Sequence, residues 1–265
     1  MRPLLRNWSP VAARITGAEV ILFGFDYDGT LSPIVRRPEW ARLSEETFAL
    51  LKALTSHPRY FPAIISGRSL TEIRDLVGLP GLIYAGNHGL ELEGPSLRFL
   101  HPDGRSARPI LTELLKCLEE ELRGIDGVQV EDKGLTISVH FRRVDENNLD
   151  RTLRIIETIT KDPVRRGQVK VTSGKKVIEI RPPVDWNKGK IITWLQREVS
   201  RVAGGKKVLT VYTGDDRTDE DAFRVIGEKG ITIRVGRAED GSNAQYYLNG
   251  VEEVRSFISR LVELY

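Results

Sequence analysis

Two pairs of aspartates directly follow apolar segments of the chain. Asp26 and Asp28 end one segment, and Asp215 and Asp216 end another. Apolar runs of this length are typical of buried parallel strands, and open α/β sheets bind ligands at the carboxyl ends of such strands. If both pairs face one pocket, mutual repulsion raises the pKa values of the carboxyl groups unless a cation is bound. Oxygen ligands without clustered Cys or His favour Mg²⁺ over zinc.

The first aspartate pair is followed by a turn that suits an anion. Asp26 and Asp28 alternate along the strand direction, so both side chains can project toward one mouth. Gly29 then permits a sharp turn whose backbone N–H groups are free to meet a phosphate. The dipeptide Asp28-Gly29 alone is equally consistent with a plain turn.

A second anion-binding turn is indicated at Ser66, which follows the apolar run 60–65. Its hydroxyl and the N–H of Gly67 can hold a phosphate oxygen. Ser66 taken alone is more typical of an N-cap for the next helix. The neighbouring Arg68 is either a surface residue or a group that reaches the phosphate or the attached sugar.

Lys188 stands where a helix is predicted to begin. The helix macrodipole opposes a cation at that end, and an anionic partner would remove the conflict. Lys190 is the competing candidate for the same role. Farther along, Thr218 and Asp221 have the spacing of a capping box, which explains the acidity of the helix start but not Asp215 and its neighbour at the strand tip.

The order of predicted elements indicates two domains. Strands alternate with helices over residues 1–105 and 184–265, which predicts an α/β fold with a doubly wound parallel sheet. Residues 106–183 instead read as α-β-β-α-β-β, which suits an antiparallel sheet backed by two helices. We therefore expect a smaller α+β domain inserted into the larger one.

Composition narrows the class of protein. Lysine and arginine number 40 against 37 acidic residues, and a net charge of +3 is too slight to indicate nucleic-acid binding. Cys117 is the only cysteine, so an internal disulfide is excluded. Since no signal peptide or membrane span is recognisable, we expect a cytoplasmic protein without membrane partners.

The string Asp26-Tyr27-Asp28-Gly29-Thr30 resembles the first motif of the haloacid dehalogenase superfamily, DxDGT. The resemblance implies a Rossmann-like core in which Asp26 is the nucleophile and Asp28 is the general acid and base. Ser66 and Lys188 match the second and third motifs. The implied Mg²⁺ ligands are Asp26, the backbone carbonyl of Asp28, and Asp215, with Asp216 or Asp219 acting directly or through water.

Four segments resemble signatures of the trehalose-6-phosphate phosphatase family: 86–91 and 214–223 in the core, and 131–142 and 174–182 in the insert. The resemblance implies hydrolysis of a sugar phosphate. The two-domain layout predicts that the cap closes over the core with the sugar between them. The implied phosphate-binding residues are Ser66, Gly67, Gly29, Lys188 and Arg68. The implied sugar-binding residues are Asn87, His88, Glu131, Lys133, His140, Arg142 and Glu179.

Each sugar-binding assignment has a structural alternative. Glu131, Lys133 and Glu179 could keep a strand edge soluble, His88 could satisfy a loop carbonyl, and the remaining insert residues could cover the cap sheet. The alternative functions are a phosphatase for another sugar phosphate, a phosphomutase, and a non-catalytic sensor. We expect a monomer that is coupled functionally to a separate synthase, since no synthase domain is recognisable in the sequence.

Overall fold

The computed structural model describes residues 1–35, 37–174, 176–237 and 241–264. The chain divides into two compact units. The larger unit comprises Met1–Phe99 and the segment from Trp186 onward, and the inserted unit is Leu100–Asp185.

Within the described residues, nine strands form one sheet in the order β1-β13-β12-β11-β2-β3-β4-β5-β6. Along the chain the strands are β1 (Arg2–Pro3), β2 (Val20–Phe25), β3 (Tyr60–Ile65), β4 (Ile83–Gly86), β5 (Glu91–Gly94), β6 (Leu97–Leu100), β7 (Gln129–Asp132), β8 (Ile137–His140), β9 (Lys170–Gly174), β10 (Val177–Arg181), β11 (Val208–Gly214), β12 (Ile231–Val235) and β13 (Tyr246–Leu248). Neighbouring strands from β1 to β4 in that order are parallel, and β5 is antiparallel to β4.

Helices cover both faces of this sheet. The helices are α1 (Trp8–Thr16), α2 (Glu45–Thr55), α3 (Leu70–Val77), α4 (Pro102–Ser106), α5 (Arg108–Glu121), α6 (Glu146–Arg165), α7 (Lys188–Val202), α8 (Glu220–Ile226) and α9 (Val251–Val262). Alternate residues of β2 enter two separate hydrophobic clusters: Ile21 and Phe23 belong with residues of α1, α2, α3 and α9, and Leu22 belongs with residues of α7 and α8. This two-residue alternation confirms the predicted doubly wound sheet.

Side-chain caps fix the starts of the helices behind the sheet. Ser44 accepts a hydrogen bond from the Thr47 N–H and caps α2. Ser69 caps α3 by accepting from the Glu72 N–H. The alternative that Ser66 is the N-cap is therefore wrong, because α3 begins at Leu70 and Ser69 occupies the N-cap position.

The inserted unit has the predicted α-β-β-α-β-β order. Its antiparallel sheet runs β7-β8-β10-β9. Apolar residues of α5 and α6, such as Leu111, Leu118 and Ile156, form one buried cluster with Ile137 and Ile180 of the sheet. The opposite faces of the same strands are consequently left to polar side chains.

The edges of the large sheet were not predicted. At one edge β1 contributes only Arg2–Pro3, which pairs in parallel with Tyr246 and Tyr247 of β13. At the other edge lie β5 and β6. Elements this short carry too few residues to show a period. Among the helices described, none combines the length and apolar composition needed to cross a membrane.

Gly24 allows close packing between β2 and its neighbour β11. A Cβ at this position would lie 2.5 Å from the Tyr212 ring and 3.1 Å from Ile192. We expect Gly24→Ala to lower the free energy of unfolding by about 1–3 kcal/mol, measured by urea denaturation. Gly104→Ala is the matched control, because a Cβ there would meet its nearest atom at 3.7 Å inside a helix. Equal stabilities for the two variants would contradict this account.

Candidate active site

The ends of three neighbouring strands bring the predicted residues to one edge of the sheet. The Asp26 N–H donates to the carbonyl of Thr213 at 2.9 Å, which continues the β2–β11 pairing beyond Phe25. On the other side of β2, Ser66 follows β3 and donates its N–H to Ala85 at 2.9 Å. Because these strands are parallel, the residues after them share one edge.

A buried lysine joins two carboxylates at the centre of this edge. Lys188 Nζ donates to Asp26 Oδ1 at 2.6 Å and to Asp219 Oδ1 at 2.7 Å. Lys188 is the first residue of α7, whose N-cap Asn187 accepts from the Lys190 N–H at 3.0 Å. The lysine is only 2% exposed, so the two anions supply the compensation that the sequence indicated.

Asp219 is held by three donors. Besides Lys188, the Tyr212 hydroxyl donates to Asp219 Oδ1 at 2.8 Å, and the Asp216 N–H donates to Oδ2 at 2.9 Å. Asp216 and Asp219 form a capping box over the turn that precedes α8. The capping box expected between Thr218 and Asp221 is therefore wrong, because the helical turn begins two residues earlier.

Three carboxylates converge in a geometry that suits a cation. One oxygen from each of Asp26, Asp215 and Asp219 lies within 4.8 Å of the others. Asp215 Oδ1 is buried and has no hydrogen-bond partner among the residues described. A buried carboxylate oxygen without a protein donor is satisfied by a hard divalent cation, so this set fits Mg²⁺. The exposed Asp216 is outside this cluster and caps the turn.

Gly29 allows the first turn to approach this cluster. Its φ is +87°, in the left-handed region, and a Cβ would overlap the Asp215 carboxylate. Its N–H donates to the Ser32 carbonyl at 2.7 Å, so the prediction that this N–H is free to meet a phosphate is wrong. The residue is therefore needed for both backbone conformation and space.

The pKa values reflect crowded negative charge. Burial raises the pKa of Asp26 well above its usual range, and Asp219 and Asp215 add to this effect while Lys188 opposes it. Burial, followed by repulsion from Asp219, raises the pKa of Asp215 to about 6. Burial lowers the pKa of Lys188, but attraction from Asp219 and Asp26 outweighs it, so the net shift is upward and the ammonium is retained.

Asp28 lies beside the cluster and is held by Arg68. Arg68 Nε donates to Asp28 Oδ2 at 2.7 Å, and Nη2 donates to Oδ1 at 2.8 Å. Nη1 forms an ion pair with Glu72. The guanidinium, placed by sequence among the phosphate-binding groups, lies on carboxylates in this structure.

The 86–91 segment packs against the turn after β3. Asn87 and His88 both have left-handed backbone conformations, with φ of 49° and 55°. The Asn87 N–H donates to the Arg68 carbonyl, and its side-chain amide donates to Glu91 Oε1 at 2.7 Å. A Cβ on Gly67 would lie 2.7 Å from the His88 ring, so the imidazole covers that glycine directly. Such strained residues are concentrated at ligand sites.

The predicted sugar-binding residues lie in the inserted unit. Glu131, Ser138 and Glu179 are aligned across β7, β8 and β10, so their side chains share the polar face of the sheet. His140 Nε2 lies 2.8 Å from Glu131 Oε2, and Lys133 Nζ lies 4.0 Å from the same oxygen.

The other predicted sugar-binding residues of the inserted unit are Glu179 and Arg142. Glu179 Oε2 lies 3.7 Å from an Arg181 nitrogen. Arg142 follows β8 and is exposed. Lys175, within the signature 174–182, is outside the described residues.

Sequence reasoning missed two residues that support the candidate site. Tyr212 lies in a buried strand, β11, so nothing in the pattern distinguishes it from a core tyrosine. Glu72 occupies a first-turn position of α3 where acids are common for their effect on the helix dipole. Their contacts with Asp219 and Arg68 depend on tertiary packing.

The fold is shared with a solved hydrolase structure. A haloacid dehalogenase-like hydrolase from Bacteroides thetaiotaomicron superposes with a TM-score of 0.63 at 14% identity, covering 91% of this chain and 99% of that one. At this identity the likeness concerns the fold alone.

Sequence similarity then gives the family. Residues 24–252 match the family described as trehalose-phosphatase. Two Arabidopsis thaliana proteins, "Probable trehalose-phosphate phosphatase D" and "Trehalose-phosphate phosphatase B", are 38% and 37% identical over 98% of this chain and 71% and 70% of their own lengths. The C-terminal domain of C. albicans trehalose-6-phosphate phosphatase superposes with a TM-score of 0.80 at 26% identity, covering 100% of this chain and 99% of that one. The chain belongs to the trehalose-phosphatase family and is a phosphatase.

The two lysines at the start of α7 permit a direct test of the buried ion pairs. We expect Lys188→Met to lower the free energy of unfolding by about 3–5 kcal/mol, because it leaves two buried carboxylates without their cation. We expect Lys190→Met to cost about 1 kcal/mol or less. Urea denaturation at neutral pH in EDTA measures both. A comparable loss in both variants would show that burial of Lys188 does not depend on its two anions.

Proposed function

We propose that the protein is a Mg²⁺-dependent phosphatase that hydrolyses trehalose 6-phosphate to trehalose and phosphate through an aspartyl-phosphate intermediate. The observation that carries this proposal is the contact of Lys188 with Asp26, two positions before Asp28, at the sheet edge. A carboxylate nucleophile, a fixed cation and a second carboxyl group are the parts that phosphoryl transfer through a covalent intermediate requires.

The first step transfers the phosphoryl group to Asp26. A carboxylate oxygen of Asp26 attacks phosphorus as the bond from phosphorus to the sugar oxygen breaks. Asp28 gives its proton to the departing oxygen, so that trehalose leaves as an alcohol. Lys188 keeps its proton and offsets the negative charge that Asp26 and the phosphoryl oxygens bring together.

The second step returns Asp26 to its starting state. Asp28, now a carboxylate, takes a proton from a water molecule whose oxygen attacks phosphorus. The bond between phosphorus and Asp26 breaks, and inorganic phosphate leaves. Asp28 ends the cycle protonated, and every atom of the substrate and of one water is accounted for.

The metal would be held by the carboxylates of Asp26 and Asp215 and by the carbonyl of Asp28. Asp219 lies in the same cluster but already accepts hydrogen bonds from Lys188 and Tyr212, so it contributes chiefly by fixing the lysine. When bound, Mg²⁺ supplies neutralising charge and an oriented phosphate. The orphaned Asp215 Oδ1 is the observation that supports this assignment.

The remaining groups at the edge would bind the phosphate. Ser66 is 1% exposed, and its hydroxyl, which accepts from the Arg68 N–H at 3.2 Å, keeps its own proton to donate to a phosphate oxygen. Gly67 follows it directly, whereas the Gly29 N–H is already used within its own turn. Asn87 and His88 lie next to the turn after β3, where the sugar oxygen would leave.

The inserted unit would select the sugar. Trehalose offers many hydroxyl groups. These groups can donate hydrogen bonds to ionised carboxylates and accept hydrogen bonds from lysines. Glu131, Lys133, His140 and Glu179 provide this chemistry on one face of the β7-β8-β10-β9 sheet, and Arg142 adds a donor beyond β8. In this assignment residues 106–183 recognise the sugar, and residues 1–105 and 184–265 perform the chemistry.

The alternatives differ in their products. A phosphomutase would return an isomerised sugar phosphate, and a sensor would bind without turnover. The pairing of Lys188 with Asp26 is buried at the cost of two desolvated charges, which a binding site alone does not require. We retain the expectations of a cytoplasmic monomer working with a separate synthase.

The test is phosphate release from the purified protein with Mg²⁺. We expect strong preference for trehalose 6-phosphate over glucose 6-phosphate, sucrose 6-phosphate and an aryl phosphate, and loss of activity in EDTA. Asp26→Asn should abolish turnover without unfolding the protein, whereas Asp221→Asn, a change in a nearby acid outside the cluster, should retain it. Turnover by the Asp26 variant would remove that residue as the nucleophile.

Sugar selection by the insert is tested separately. We expect Glu179→Gln to lower kcat/KM for trehalose 6-phosphate by about tenfold to hundredfold, the loss of a hydrogen bond to a charged group, with no change for the aryl phosphate. Glu157→Gln, at an exposed position of α6, is the control. If kcat/KM falls equally for trehalose 6-phosphate and the aryl phosphate, Glu179 does not select the sugar.

A further inference from the structure

Arg68 holds Asp28 in a way that fixes the plane of its carboxyl group. Two nitrogens of one edge of the guanidinium donate to the two carboxylate oxygens, at 2.7 Å and 2.8 Å. A planar fork of donors on two oxygens sets orientation as well as distance, which a single ammonium cannot do. Each oxygen keeps another lone pair, so the carboxyl group can still exchange a proton with a substrate.

The guanidinium is itself fixed by its surroundings. Its third nitrogen, Nη1, forms an ion pair with Glu72 of α3. The Arg68 side chain is 8% exposed, against 41% for Asp28 and 29% for Glu72. The ring of Tyr27 lies 5.7 Å from the guanidinium carbon, and the Tyr27 hydroxyl donates to the Ala41 carbonyl at 2.7 Å. The cation is therefore buried and anchored, while the group it orients reaches solvent.

We propose that Arg68 and Glu72 are positioning residues, with Glu72 fixing Arg68 and Arg68 aiming the Asp28 carboxyl group at the departing sugar oxygen. This inference rests on the proposed function of Asp28. It differs from the phosphate-binding role that the sequence suggested for Arg68, because all three guanidinium nitrogens donate to carboxylates. Three ion-paired nitrogens leave the arginine with little net attraction for a phosphate.

The two roles predict different dependence on the leaving group. An alkyl phosphate such as a sugar phosphate needs a proton on the departing oxygen, whereas 4-nitrophenyl phosphate releases a stable anion without one. The ratio kcat/KM includes steps only up to the first irreversible step, here transfer to Asp26, so it is insensitive to the later use of Asp28 as a base. A misaimed Asp28 therefore lowers kcat/KM for the sugar phosphate selectively.

The experiment compares Arg68→Lys, Glu72→Gln and Asp28→Asn on trehalose 6-phosphate and 4-nitrophenyl phosphate. We expect Arg68→Lys, which keeps the charge and loses the fork, to lower kcat/KM for the sugar phosphate by about tenfold more than for the aryl phosphate. Glu72→Gln should act in the same direction with a smaller effect. The control is Arg74→Lys. Arg74 lies on α3, as Glu72 does, and forms a surface ion pair with Glu93, so this change should leave kcat/KM for both substrates unchanged.

A double-mutant cycle separates aiming from phosphate binding. Once Asp28→Asn has removed the acid, adding Arg68→Lys should lower kcat/KM for the sugar phosphate by less than about twofold. Thermal unfolding of every variant identifies losses that come from the fold.

The proposal is overturned if Arg68→Lys lowers kcat/KM equally for both substrates and if this effect adds to that of Asp28→Asn. That result would assign Arg68 to phosphate binding. If the wild-type protein hydrolyses neither substrate nor the other sugar phosphates, the proposed function fails and this inference fails with it. If the wild-type protein is active but the Arg68 and Glu72 variants lose kcat/KM equally on both substrates, only the positioning role is overturned.

Discussion

The candidate site depends on one buried cation. Lys188 is almost completely removed from water, which is unfavourable for an ammonium group unless anions accept its protons. Asp26 meets this need from the end of β2, and Asp219 meets it from the helical turn after β11. The contact in turn fixes the first residue of α7, the end of β2 and the turn after β11 relative to one another. The arrangement that suits phosphoryl transfer is thus also a constraint on how the larger unit packs.

Protein groups do not balance all of the negative charge near this lysine. Asp215 joins Asp26 and Asp219 without a protein donor for one of its oxygens, and the pKa values of both Asp26 and Asp215 are raised. The neighbouring Asp28 is instead held by two hydrogen bonds from Arg68. The two carboxyl groups at the end of β2 therefore have different surroundings. Asp26 shares a pocket suited to a metal, and Asp28 is paired with a fixed guanidinium.

Sequence reasoning anticipated features that depend on long or local patterns. The apolar run before Asp26, the alternation of helices and strands, and the lysine at a helix start all indicated their place in the structure. It failed where tertiary contacts choose between equivalent local options. Asp216 rather than Thr218 begins the capping box, and Tyr212 is distinguished from a core residue only by its hydroxyl partner.

The chain order of these strands has a consequence for synthesis on the ribosome. In the finished sheet β2 lies between β3 and β11, yet β11 and Lys188 are translated only after the whole of Leu100–Asp185. The strands of the inserted unit are contiguous in sequence, so that unit can fold as soon as it emerges. Until β11 and Lys188 have been translated, β2 has one unpaired edge and Asp26 lacks its counter-ion, so the nascent first segment exposes a strand edge that can pair with another chain.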